Sequence, residues 1–196
     1  MMGILLAAGF SRRFGSTNKL LHRLPNGCPI AVASANNLIK SIPICIAVVR
    51  PKNKELAELL LNSGLKVMFC RETDQQMADS LATAIRFTAN YKAADDGFVI
   101  ALADMPYIQS KTIRDVANKV ADGASIVIPT YLNQRGHPVG FSEKFRSELE
   151  SLQADEGARS IIKRYASLVK LLPTNDAGIL ADIDTPSDLI LSNLKS

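Results

Sequence analysis

Aromatic side chains are scarce in this chain, 6% of its 196 residues with no tryptophan, and its formal net charge is only +4. A nucleic-acid surface needs a strong basic patch and rings for bases to stack on, so nucleic acid is excluded as a partner. Cysteine is sparse as well: Cys28, Cys45 and Cys70 stand far apart without a C-x-x-C pair, and only two histidines are present. Neither a disulfide framework nor a structural zinc site is expected. Long apolar runs are also missing. Nothing approaches the ~20 residues of a membrane span, and the apolar start lacks the basic leader of a signal peptide, so no membrane partner and a cytoplasmic location are expected.

What is present is material for a core. Hydrophobic residues make up 47% of the chain and charged ones 21%, the balance of a single globular domain over residues 1–196. The mild basic excess, 23 Lys and Arg against 19 Asp and Glu, suits anionic ligands such as phosphates.

Short apolar runs at residues 4–7, 44–49, 66–70, 98–102 and 125–129 alternate with amphipathic stretches at 29–40, 52–62, 77–91 and 111–121. Strands separated by helix-length segments predict an α/β domain, Rossmann-like, with a mainly parallel sheet flanked by helices. Further helices are expected at 143–152, 157–166 and 186–194, and residues 133–141 read as a turn and short strand outside the main alternation. Ligands of open α/β sheets bind beyond the carboxyl ends of the strands, which directs attention to the loops at 8–19, 71–80 and 103–107.

The first loop combines small residues with cations. Ala7, Ala8 and Gly9 let backbone N–H groups approach phosphate oxygens, while Arg13 and Lys19 supply positive charge for a triphosphate. A solvated turn is the bland alternative. Its spacing fits neither the dinucleotide fingerprint nor the P-loop of NTPases. The fourth apolar run delivers one carboxylate, Asp104, to the same sheet edge just before Pro106, where a magnesium ligand or a simple turn aspartate would stand.

The loop resembles the L-A-A-G-x-S-x-R-x-G…K signature of nucleotidyltransferases that activate phosphorylated metabolites, most of all the molybdenum cofactor nucleotidyltransferases. Leu6, Ala7, Ala8, Gly9, Ser11, Arg13, Gly15 and Lys19 fall on the motif, although three residues separate Gly15 from Lys19 where two are commoner. The segment Leu102-Ala103-Asp104-Met105-Pro106 is similar to the family's L-A-D-M-P, whose aspartate binds the metal. Residues 75–85 resemble its G-M-x-x-S-L stretch with Gln76 in place of glycine; Ser80 either lines the nucleotide pocket or merely begins a helix with Asp79. Arg135-Gly136-His137-Pro138-Val139 resembles a segment of the cytidylyl-transferring branch, in which Arg135 and His137 would meet the acceptor; a turn histidine is the alternative. Asp182 and Asp184 stand in a match to the D-I-D-T-P-x-D-L ending, where one of them would be a second metal ligand and Asp188 would stabilise the helix that follows.

As a set these motifs imply a fold of the nucleotide-diphospho-sugar transferase type and Mg²⁺-dependent transfer of CMP from CTP to the terminal phosphate of molybdopterin, with release of pyrophosphate. Arg13, Lys19 and Asp104 would be catalytic, Leu6, Ala7, Ala8, Gly9 and Ser80 would hold the nucleotide, and a client molybdoenzyme is an implied partner. Guanylyl transfer, or transfer to a sugar or polyol phosphate, keeps the chemistry and changes the substrates. From other classes, the chain would be a non-catalytic molybdenum cofactor carrier or a nucleotide-binding regulatory module. A carrier has no need to polarise an α-phosphate, so Lys19 and Asp104 argue against it.

Overall fold

The computed structural model describes residues 1–9, 18–74, 76–153, 157–185 and 187–188. Ser11, Arg13, Gly15 and most of the helix expected at 186–194 lie outside the described residues. One eight-stranded sheet organises the chain. Its strands are β1 (Met2–Ala7), β2 (Cys45–Val49), β3 (Lys66–Phe69), β4 (Phe98–Leu102), β5 (Ile126–Tyr131), β6 (Gln134–Arg135), β7 (Val139–Phe141) and β8 (Val169–Pro173). The helices are α1 (Ile30–Ile39), α2 (Lys54–Asn62), α3 (Met77–Phe87), α4 (Ser110–Ala121), α5 (Arg146–Glu150) and α6 (Gly157–Arg164).

Strands β3-β2-β1-β4 lie side by side and parallel. The chain steps outward from β1 to β3, then returns to lay β4 on the free edge of β1. That reversal opens a crevice beyond the carboxyl ends of β1 and β4, the place where such sheets bind ligands. All six residues of β1 are buried, as befits a strand covered on both faces. Successive side chains point to opposite faces. Leu5 and Ala7 share a core with Ile30 and Leu38 of α1, Leu56 of α2 and Val116 of α4, whereas Ile4 and Leu6 share one with Leu81 of α3, Leu149 of α5 and Ile161 of α6.

Three details of the fold have physical causes. Residues 133–141 form the expected turn and short strand outside the alternation of strands and helices, and they join the sheet: β7 is inserted antiparallel between β4 and β5, and β6 is hairpinned to β5 through Leu132 and Asn133, at φ 47° and 63°. Two left-handed residues make the tight turn whose twist matches a hairpin. Second, β8 was not anticipated; it runs parallel to β5 with much of its surface exposed, so its Val-Lys-Leu-Leu-Pro sequence carries little of the apolar signal of a covered strand. Third, the helix expected to reach residue 91 stops at Phe87, where the Thr88 hydroxyl donates to the Ile85 carbonyl at 2.6 Å and a tighter turn over Thr88–Asn90 follows.

The segment after β8 is laid across the loop that follows β4. Asp176, buried, accepts from the Gln109 amide at 2.8 Å, the Thr112 hydroxyl at 2.7 Å and the Gly178 amide at 3.0 Å, so a remote carboxylate caps the start of α4. A Cβ at Gly178 would collide with the Tyr107 carbonyl, so only glycine allows this approach. Further on, the Ile183 amide donates to the Asp104 carbonyl at 2.9 Å, which brings the C-terminal acidic stretch to the carboxyl end of β4.

Candidate active site

Three charges meet where β1 and β4 end. Lys19 stands in a short turn, Lys19–Leu21, started by the Asn18 side chain, which accepts from the Leu20 amide at 3.1 Å. Its ammonium donates to Asp104 at 2.7 Å and to Asp184 at 3.0 Å. Burial works against the Lys19 charge, but the two carboxylates together outweigh it and hold the group above its ordinary value, so it is an ammonium throughout the neutral range. Instead of projecting freely, the lysine is the counter-ion of two acids. The acidic pair of the sequence is also resolved geometrically: Asp184 joins the cluster, while Asp182 is exposed and makes no ion pair among the described residues. Asp188 accepts from the amides of Asp184 at 2.9 Å and Thr185 at 2.7 Å and holds the turn in place.

Around this cluster lies a cavity of about 220 Å³ that includes Leu6, Ala8, Gly9, Lys19, Ser80 and Asp104 in its wall. A Cβ at Gly9 would meet nothing within 4 Å among the described residues. Ala7 turns its methyl into the core shared with α1 and α4, and its neighbours Leu6 and Ala8 form the wall on either side of it. Ser80 lines the cavity, and its hydroxyl donates to the Gln76 carbonyl at 3.4 Å in the first turn of α3. Asp79 is structural, accepting from the Gln76 amide at 3.0 Å.

Arg50 also lines this cavity, and the sequence reading passed over it. The side chain is buried, 6% exposed, with Nε donating to the Ala8 carbonyl at 2.7 Å and the guanidinium donating again to the Asp74 carbonyl at 3.0 Å. It ties the loops after β1 and β3 together from the end of β2. Its signal was a charged residue directly after an apolar strand, the same signal that marks Asp104.

A larger cavity of about 620 Å³ shares Leu6, Gln76, Met77 and Leu102 with the first and extends between the sheet and α6. Arg135 and His137 stand in its wall, so the expected acceptor residues are brought together. The His137 Nδ1 atom is buried without a hydrogen-bond partner among the described residues. Burial pushes its imidazole below the ordinary value; Asp104 and Asp182 pull the other way and Arg159 adds to the depression. The ring is therefore neutral at pH 7 and can exchange a hydrogen bond without bringing charge.

Asp104 and Asp184 suit a hard divalent cation in their chemistry: they are carboxylates close enough to share the Lys19 ammonium, and Mg²⁺ needs only one or two carboxylates when phosphates and water complete its shell. Among the described residues no cluster of three or more His, Cys, Asp or Glu side chains could enclose a metal by itself.

Comparison with known proteins agrees with this architecture. The purine catabolism protein PucB of Bacillus subtilis is 27% identical over 197 residues, spanning 96% of this chain and 93% of its own. The crystal structure of Rv0371c from Mycobacterium tuberculosis superposes with a TM-score of 0.84 at 24% identity, covering 100% of this chain and 97% of the other, and that protein has also been solved as a manganese complex. A nucleotidyl transferase from Methanothermobacter gives a TM-score of 0.81 at 19% identity over 99% of this chain and 96% of its own. A family model, the MobA-like NTP transferase domain, matches residues 3–169, and with the crevice, the cation and the paired acids in place the chain belongs to the MobA-like NTP transferase family.

Proposed function

We propose that the protein transfers CMP from CTP to the terminal phosphate of molybdopterin and releases pyrophosphate. The observation that carries this reading is Lys19 held between Asp104 and Asp184 at the mouth of the β1–β4 crevice, in a cavity that shares Leu6, Gln76, Met77 and Leu102 with a second one large enough for an acceptor. The Ala8 and Gly9 backbone, Arg13 and Lys19 hold the triphosphate, and Ser80 and Leu6 bound the nucleotide. Asp104 and Asp184 would hold Mg²⁺, which when bound draws electron density from the α-phosphorus. Arg135 and His137 orient the acceptor. Its phosphate is already largely ionised near neutral pH, so the chain needs no general base and supplies positioning and charge stabilisation instead. The cytidylyl choice rests on the Arg135–Val139 segment, and a molybdoenzyme that receives the product is the implied client.

The test is pyrophosphate release by purified protein with Mg²⁺ and molybdenum-loaded molybdopterin, comparing CTP, GTP and ATP. CTP is expected to support release, and Asp104→Ala to lower turnover by roughly 10²–10³-fold, the scale of a lost electrostatic contact in an active site, with the fold intact. Release with GTP instead would move the base choice and keep the mechanism. Tight cofactor binding without release from any nucleotide would identify a carrier, and unchanged turnover in Asp104→Ala would remove the site assignment.

A further inference from the structure

The larger cavity has two chemical halves. Its floor is hydrocarbon, from Leu81 of α3, Ile100 of β4, Ile128 of β5 and Val139 of β7. Its rim carries Arg135 from β6 and Arg159 and Lys163 from α6, and no Asp or Glu lines it among the described residues. Arg159 and Lys163 are one helical turn apart, so they project from the same side of α6. Both are exposed, and neither makes an ion pair among the described residues. Three cations gathered on one rim repel one another, an arrangement that an anion relieves.

A second feature points into the same space. His137 offers a buried Nδ1 with no partner among the described residues, and its imidazole feels both Asp104 and Arg159. The histidine thus stands electrically between the acidic centre of the smaller cavity and the cations of α6. A volume of about 620 Å³ is of the size that encloses a small organic ligand.

We propose that Arg159 and Lys163, with Arg135, form an anion clamp that grips the phosphate of the acceptor while its ring lies on the Leu81–Ile100–Ile128 floor. The ligand class is a planar ring compound carrying a phosphate. The clamp rests on the reading above that the acceptor is phosphorylated, and it adds two specificity-determining residues that no sequence motif marked. Arginine suits the task through its planar fork, and lysine adds a mobile point charge.

The test uses an oxidised, phosphorylated, fluorescent pterin titrated with the full chain, whose lack of tryptophan leaves the pterin emission free of overlap. The Arg159→Ala/Lys163→Ala double variant is expected to weaken binding of the phosphorylated pterin at least tenfold. Binding of the dephosphorylated pterin and of CTP should change less than twofold. An Arg159→Lys/Lys163→Arg variant should recover most of the loss, which a packing role would not predict. Equal affinities in wild type and double variant, an equal loss for CTP, or no binding of the phosphorylated pterin by wild type would each overturn the clamp. Failure of the transfer reading looks different: clamp-dependent pterin binding without CTP-driven pyrophosphate release sinks the transfer and keeps the clamp, whereas CTP turnover with an unchanged acceptor KM in the double variant does the reverse.

Discussion

At the residue scale, the contact of Lys19 with Asp104 and Asp184 is both a structural tie and a charge balance. Replacing the lysine by methionine keeps most of its stem and leaves two acids facing each other. The variant should lose about 1–3 kcal/mol of stability, less than for a fully buried pair because both acids are partly exposed, and should regain more of its Tm on addition of Mg²⁺ than wild type does. Thermal melts with and without Mg²⁺ decide this; identical melts for both proteins would mean that the three-charge contact carries no stability. His137 gives a separate pH signature. Its folded value lies below the ordinary one, chiefly through burial, so below about pH 6.5 the unfolded chain binds the proton first and stability falls as the pH falls. The slope contributed is at most about 1.4 kcal/mol per pH unit, and His137→Gln should flatten the acid limb of a Tm-against-pH curve by that amount or less. Asp104 was legible in the sequence because it follows an apolar run that ends at the sheet edge, and Lys19 because it closes a loop of small and cationic residues after the first such run. Arg50 follows such a run too, but its partners are backbone carbonyls, which leave no trace in the sequence. The Asp182 and Asp184 pair was ambiguous because equal parity places both on one face only of a strand; residues 181–184 are not a strand, and one acid turns inward while the other is exposed.

At the scale of elements, the parallel strands, β5 and a short strand within 133–141 were readable, whereas the place of β7 in the sheet and the existence of β8 were not, for a physical reason. Strands β1 and β2 are buried throughout and β4 in all but Leu102, and so they write continuous apolar runs, whereas β7 has only three residues and β8 is largely exposed. The final segment is placed by Ile179 and Ile183, buried in the core shared with α1 and α4, and by polar contacts to a remote part of the chain, of which Asp176 makes three. Asp176→Ala would strand the Gln109 amide, the Thr112 hydroxyl and the Gly178 amide in a buried setting. A loss of about 2–4 kcal/mol is expected in urea unfolding, and Asp176→Asn, which keeps one acceptor oxygen, should lose about half as much. Because the same segment carries Asp184, turnover should fall in step with stability across the two variants. A destabilised Asp176→Ala protein with wild-type turnover would show that the segment reaches its place without this cap.

At the scale of the whole molecule, the candidate site exists only when the chain is folded end to end. Lys19 and Asp184 are 165 residues apart in sequence, and Asp104 lies 85 from Lys19. The strands between them are hydrogen-bonded into one sheet with a core on each face, so no smaller unit presents the three charges together. A nucleotide that needs all three therefore binds the native state and not the unfolded chain, and mass action turns its affinity into global stability. With CTP and Mg²⁺ together at a hundred times their apparent Kd, the gain is about 2.7 kcal/mol, which for a chain of this length is a Tm rise of roughly 5–10 °C in one transition. Asp184→Asn should remove most of that rise while leaving a single transition, because the loss falls on ligand binding and not on the cooperativity of the sheet. If calorimetry instead resolved two transitions, with only the later one responding to CTP and Mg²⁺, the segment bearing Asp184 would be melting ahead of the sheet and the nucleotide would be held by the β1–β4 edge without it.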